Sequence, residues 1–216
     1  MKADRWERLA PLTGAVFVIL VVVAFVALGQ DTPGAHASAQ KVQTYYSEHQ
    51  GREAAAAFVL ALGLPFLVFF SSVLYRALRT AGGQGRLAAA AFGGGLLAAA
   101  GFGFAAAIHF ALADAADKAS TLGATQTLNV LDNDSFIPFA AGLGILLLAS
   151  GLAAVRYGAL PRWLAWVGIV LGVATFTPAG FIGFIGSGVW IIAASIALYL
   201  RGPLAGAGPA YSPTQT

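Results

Sequence analysis

One histidine and four aspartates near the middle of the chain are the residues best suited to chemistry. His109 is the only ionisable residue within the apolar stretch of a predicted membrane span, and the acids follow it at Asp114, Asp117, Asp132 and Asp134. An ionisable group at membrane depth is energetically costly, so it marks a candidate functional site. We predict that these five side chains form a polar site at the outer face of a membrane protein.

An imidazole with carboxylates is a ligand set for zinc, which in turn activates water for hydrolysis. His109 and Asp114 are separated by about 7.5 Å along a helix and by roughly 140° around it, so the helix that carries them cannot bind a metal alone. The stretch LDNDSFIPF, residues 131–139, supplies the further acids. We predict that Asp132 or Asp134 approaches His109, and a metal site would consist of His109, Asp132 and Asp134.

Helix capping is the alternative explanation of these acids. Pro138 fits only in the first turn of a helix, so the span that contains it should begin two to four residues earlier. Asp134 or Ser135 would then be the N-cap, and the acids would lie at the positive end of the helix dipole.

The elements that must position these residues are membrane helices. The chain of 216 residues is 58% hydrophobic and 10% charged, against about 25% charged in a soluble domain. A span needs about 20 apolar residues. We predict an all-α integral membrane bundle of six transmembrane helices, which form one membrane domain over residues 1–201 with spans near 10–29, 53–75, 87–112, 135–155, 162–178 and 180–200.

Basic residues set the predicted topology. With the N-terminus inside, nine of the twelve lysines and arginines fall in cytoplasmic segments, and only Lys41, Arg52 and Lys118 lie outside. The positive-inside rule therefore places both termini in the cytoplasm. The tail, residues 202–216, is small, polar and proline-broken, and we predict that it is disordered.

The first outer loop is predicted to contain a short interfacial helix. Ser38 is a suitable N-cap, and Val42, Tyr45, Tyr46 and His49 follow helical spacing on one face. Such a helix would lie on the membrane surface ahead of the second span. The first span is predicted to be a retained anchor, since its apolar run exceeds that of a signal peptide.

Small residues predict that the third span is central to the bundle. Gly93, Gly94, Gly95, Gly101 and Gly103 occur in an alanine-rich stretch. Small residues allow close helix approach in lipid, where no hydrophobic effect drives helices together.

Several classes of function are excluded or disfavoured. The chain has no cysteine, so thiolate metal sites, iron–sulfur clusters and cysteine nucleophiles are excluded. It contains no G-x-S-x-G, H-E-x-x-H or P-loop motif. Its basic residues are scattered, which argues against a nucleic-acid partner.

Five stretches, RWERLAPLTG, YYSEHQ, HFALADAAD, LDNDSFIPF and GALPRWLAW, resemble an actinobacterial family of multi-pass membrane proteins that carries a domain of unknown function. The likeness covers nearly the whole chain except the tail. It implies a bacterial plasma membrane location and implies no activity, cofactor or catalytic residue.

The first functional hypothesis is a binding or accessory role in the plasma membrane, with a lipid or another membrane protein as partner and no cofactor. The second is a membrane-embedded metal-dependent hydrolase that uses zinc at the His/Asp site in the outer leaflet. A small-molecule transporter is third, because charged residues deep in the predicted bundle are lacking. Elemental analysis separates the first two hypotheses.

Overall fold

The computed structural model describes residues 5–29, 31–81, 85–118, 121–178 and 180–202. This part of the chain is helical and contains no strand, which confirms the all-α prediction. Residues 203–216, nearly all of the predicted tail, lie outside it. The helices are α1 Arg5–Leu9, α2 Thr13–Val22, α3 Ala39–Thr80, α4 Arg86–Lys118, α5 Leu122–Asp134, α6 Phe136–Tyr157, α7 Arg162–Thr175 and α8 Gly180–Arg201.

In the part of the chain that the structure describes, five helical segments are long and apolar enough to cross a membrane: Glu7–Leu28, Ala39–Thr80, Arg86–Ala116, Leu122–Tyr157 and Gly180–Arg201. The helix predicted as the fifth span, α7, is apolar but has only 14 residues. Its length of about 21 Å is less than the roughly 30 Å of a bilayer core. The chain thus has the helices of a multi-pass membrane protein, and the count of six spans stays a prediction.

The predicted interfacial helix is the beginning of α3. Ser38 is the N-cap as predicted, and its hydroxyl accepts from the backbone N–H of Lys41 at 3.4 Å. The helix then continues without a break for 42 residues, or about 63 Å, which is twice the thickness of a bilayer core. The face expected to contact lipid packs on protein instead, because Val42 and Tyr46 are buried with Leu112 and Ala113 of α4.

Helix α4 is central, as its small residues predicted. It packs against α3 on one side and against α6 on the other. A Cβ atom added at Gly94 would lie 2.5 Å from the backbone nitrogen of Leu146, and one added at Gly142 would collide with the backbone of Ala98. The α4–α6 contact therefore requires residues without side chains at these positions.

The junction of α5 and α6 agrees with the predicted start of a span but not with the predicted role of its acids. Asp132 and Asp134 lie in the last turn of α5, and only Ser135 separates the two helices. Ser135 occupies the N-cap position of α6, but its hydroxyl donates back to the backbone oxygen of Asp132 at 2.8 Å and caps no N–H. The predicted start is confirmed, because α6 begins at Phe136, two residues before Pro138, with Ser135 at the N-cap position. The predicted role of the acids is wrong, because α5 continues to Asp134 and both acids belong to that helix.

The N-terminal span changes its helical type along its length. A 3-10 turn at Ala10–Leu12 leads into α2, and a π-helical turn follows at Val23–Leu28. The turn ends at Gly29, whose N–H donates to the oxygen of Ala24 at 2.8 Å. Two residues later Asp31 has a φ of 61°, a left-handed value that is uncommon for a residue with a side chain.

Candidate functional site

The imidazole of His109 lies between two carboxylates from two other helices. Its Nδ1 is 3.0 Å from Oδ2 of Asp132 on α5, and its Nε2 is 3.1 Å from Oε2 of Glu53 on α3. The approach of Asp132 was one of the two contacts predicted for His109, and the structure has it. The contact with Glu53 was not predicted. One ring thereby joins α3, α4 and α5 at the end of the bundle opposite Glu7 and Arg201.

Glu53 is the most enclosed of the three groups. Its side chain is 0% exposed, whereas His109 and Asp132 are each 16% exposed. Its other oxygen, Oε1, accepts from the Tyr45 hydroxyl at 3.0 Å and from Nε and Nη2 of Arg52 at 3.1 and 2.9 Å. A buried carboxylate needs this number of donors, because it has lost its hydration.

Glu53 was missed because the predicted second span began at this residue. In the structure Glu53 belongs to a buried row of α3 at seven-residue spacing, formed by Tyr46, Glu53, Leu60, Leu67 and Leu74. Seven residues are nearly two helical turns, so these side chains share one face. The signal was therefore present in the sequence. Recognising it required reading residues 39–80 as one helix, which would have placed an acid on the apolar face.

Two of the remaining predicted acids, Asp114 and Asp134, do not join His109. Asp114 forms an ion pair with Lys118 one turn later on α4, with 2.7 Å between Nζ and Oδ1, and both side chains are largely exposed. Asp134 is exposed at the end of α5. Asp117 lies within α4, and its side chain is outside the described residues. Of the five side chains proposed to converge, the structure brings His109 and Asp132 together.

Amide side chains hold α5 against the loop that precedes α3. Nδ2 of Asn133 donates to the oxygens of Asn129 and Pro33 at 2.8 and 3.3 Å, and Nδ2 of Asn129 donates to Gly34 at 3.1 Å. Nε2 of Gln126 donates to Ala37 at 2.9 Å. These bonds fix the helix that carries Asp132, which explains the asparagine in the LDND stretch without assigning it any chemistry.

Asp132 and His109 form the polar end of a cavity of about 230 Å³. Its apolar walls come from the π-helical turn, α3, α4 and the start of α6, and they include Ala56, Ala105 and Phe139. Phe25 and Phe136 also line it and are 46% and 52% exposed. The cavity therefore combines a polar end with an apolar wall whose edge reaches the outside of the bundle.

The π-helical turn forms one side of this cavity through Ala24 and Phe25. A π turn inserts a residue into the helical repeat, widens the helix and is frequent at functional sites. Here it precedes Gly29 and Thr32, which also line the cavity. The irregular backbone of this segment thus lines the cavity.

The hydrogen bonds define the charge of the site. A neutral imidazole has one N–H, so donation to both carboxylates requires both ring nitrogens to carry protons. Two cations, Arg52 and protonated His109, then face two anions, Glu53 and Asp132, and the formal charge of the group is zero. Such a neutral arrangement is the form in which buried charges are tolerated.

Metal binding would need a different state of the same residues. A histidine ligand offers an unprotonated ring nitrogen to the metal, and both nitrogens of His109 face carboxylate oxygens instead. Asp134, the third proposed ligand, is exposed. Within the described ranges, no group of three or more histidine and acidic side chains is arranged to hold a metal ion. Zinc belongs only to the hydrolase hypothesis, which elemental analysis tests.

Comparisons with known protein families, with characterised proteins and with solved structures find no match to this chain. The resemblance to an actinobacterial family stays an expectation from the sequence. Function has to be argued from the site alone.

Proposed function

We propose that this chain is a multi-pass membrane protein that binds an amphipathic molecule, most simply a membrane lipid, in the cavity beside His109 and Asp132. The single observation that carries the proposal is the composition of that cavity: a polar end at Asp132 and an apolar wall ending in exposed Phe25 and Phe136. A lipid has the same division between a polar head and an apolar chain.

The volume of this cavity and its opening at the surface of the bundle are suited to a lipid that is only partly enclosed. A cavity of about 230 Å³ is below the 300 to 1,000 Å³ typical of pockets that enclose a whole drug-sized ligand. It holds a headgroup or the first part of a chain. The remainder would extend past Phe25 and Phe136 into the bilayer, where exposed apolar residues are expected.

The polar end favours an uncharged headgroup that donates hydrogen bonds. Asp132 and protonated His109 offset each other's charge there, and Asn133 and Ser135 contribute further polar atoms. Hydroxyl groups would donate to the Asp132 carboxylate, whereas a phosphate directly against it would be repelled.

The location we propose is the bacterial plasma membrane, with both chain termini on the cytoplasmic side and the cavity towards the outer leaflet. The support is the nine-to-three division of basic residues between the two sides. The metal-dependent hydrolase and the transporter have no comparable observation in their favour.

The test is crosslinking of a photoreactive diacyl lipid to the purified protein in nanodiscs, followed by mapping of the modified peptides. Crosslinks should occur in the peptides that contain Phe25 and Phe136. Ala105→Leu adds an isopropyl group to a residue that is buried in the cavity wall, and it should abolish those crosslinks.

Gly93→Leu is the matched control. Gly93 lies on the same helix, and nothing is within 4 Å of a Cβ added there, so the variant enlarges an open surface and should retain the crosslinks. Equal crosslinking in the wild type and in Ala105→Leu would overturn the proposal. Equal crosslinking of the lipid is also the result expected if a protein partner, and not a lipid, occupies the cavity. In that case this chain would crosslink to the partner protein in cell membranes.

A further inference from the structure

We propose a second site at the opposite end of the bundle, where the phosphate of an anionic phospholipid binds between Arg76 and Arg201. A cavity of about 430 Å³ opens there between the 3-10 turn near the N-terminus, the last turns of α3, the α6–α7 connection and the end of α8. Both arginines line it, and nothing in the proposed function uses it.

Two arginines line this cavity, and the side chain of Arg201 is held in place by the backbone. Arg201 donates through Nη1 to the backbone oxygens of Ala159 and Gly158, the latter at 3.4 Å, which anchors one side of its guanidinium. Gly158 has a φ of 76°, and this left-handed turn ends α6 at the cavity. Arginine suits phosphate, because its planar fork of five N–H donors matches two oxygens at once.

The charge of the cavity matches a phosphodiester. Among the described residues that line it, Arg76 and Arg201 are positive and Glu7 is negative, which leaves a formal charge of +1. Glu7 lies 3.6 Å from Arg76, and both side chains are about half exposed, so their pairing is weak. A phosphodiester of charge −1 would neutralise the site, whereas a zwitterionic headgroup would not.

The apolar wall and the depth of the cavity favour a lipid over a soluble anion. Pro11, Ala77, Ala159 and Leu198 are buried side chains of the lining. Exposed aromatic residues at this end, Trp163 and Trp166 at 60% and 59%, are typical of the level at which lipid headgroups lie. Basic pockets between helices at this level bind anionic headgroups.

The experiment is native mass spectrometry of the delipidated full chain in detergent, titrated separately with phosphatidylglycerol and with phosphatidylcholine of the same acyl chains. Phosphatidylglycerol should bind more tightly. Arg76→Gln removes one charged donor group and should weaken its binding about tenfold, the value of one charge-assisted hydrogen bond. The control is Arg79→Gln, which makes the same change one turn later, outside the cavity, and should bind as the wild type does.

Three results would overturn the proposal: equal affinity for the two lipids, equal weakening in Arg76→Gln and Arg79→Gln, or full displacement of phosphatidylglycerol by an equal concentration of glycerol 3-phosphate. The last result would identify a site for a soluble anion. The comparison of the two lipids uses the wild type alone, so it tests the preference for an anionic phospholipid even if Arg76→Gln does not fold. The cavity beside His109 and Asp132 is at the other end of the bundle. A negative result for the site at Arg76 and Arg201 therefore does not affect the proposed function.

Discussion

The substitution Glu53→Gln tests whether the buried contact of three helices depends on charge. Glutamine has nearly the same shape as glutamate, so the packing of α3 on α4 is preserved. It retains one acceptor oxygen and replaces the other by an NH₂ donor. Oε2 faces His109, and Oε1 faces Tyr45 and Arg52. An amide nitrogen turned towards Tyr45 and Arg52 would oppose their donors, whereas one turned towards His109 requires the ring to lose a proton and to accept at Nε2.

The expected loss follows from these contacts. A hydrogen bond to a charged group contributes about 1.5 to 3 kcal/mol and a neutral one about 0.5 to 1.5 kcal/mol, and the substitution removes the negative charge from every bond that residue 53 accepts. Because Glu53 is fully buried, water cannot compensate for the lost charge. We expect the free energy of unfolding to fall by about 2 kcal/mol, which corresponds to a melting temperature about 4 to 8 °C lower for a chain of this length.

The assay is thermal unfolding of the purified variants in one detergent, with Glu48→Gln as the matched control. Glu48 is exposed and lies on the same helix, five residues earlier. The same chemical change there should alter the unfolding free energy by less than about 0.5 kcal/mol. If the two variants have equal melting temperatures, the burial and pairing of Glu53 do not stabilise the protein and the argument fails.

A double-mutant cycle with Asp132→Asn tests the role of the histidine in the same contact. With both carboxylates present, both nitrogens of His109 must donate, whereas with one removed a neutral ring satisfies the remaining bond. The double variant should therefore lose less stability than the sum of the single variants, by at least about 0.5 kcal/mol. Additive losses would mean that the ring does not couple Glu53 and Asp132.

Three further predictions concern topology, packing and metal content. A cysteine introduced at Thr121 should react with an impermeant thiol reagent in intact cells and one at Gly85 should not; the reverse pattern would contradict cytoplasmic termini. Gly142→Ala should destabilise the protein by about 1 to 3 kcal/mol through overpacking, whereas Gly93→Ala should have little effect; equal melting temperatures would contradict the close α4–α6 contact. Elemental analysis should find zinc well below one equivalent per chain, and stoichiometric zinc would favour the hydrolase.

Interactions that are local in the sequence were predicted well. The spacing from Ser38 identified a helix and its cap, because both depend on residues three or four apart. The glycines of α4 identified the helix with the closest neighbours, because only small residues allow such an approach in lipid. Pro138 correctly predicted the start of α6, because proline is favoured in the first turn of a helix. It does not determine where the preceding helix ends, so the place of Asp132 and Asp134 in the last turn of α5 was missed.

By itself, the sequence determined that this is an all-α chain with several membrane-compatible helices, because its apolar composition requires lipid as the solvent. It also determined that His109 needs a polar partner, because a buried imidazole without a hydrogen bond is costly. Only the tertiary structure decided that Glu53 is its second partner. Glu53 is 56 residues from His109 along the chain, and their contact depends on how α3 packs against α4. The seven-residue spacing in α3 places Glu53 on a buried face, but it does not encode which residue of another helix lies opposite.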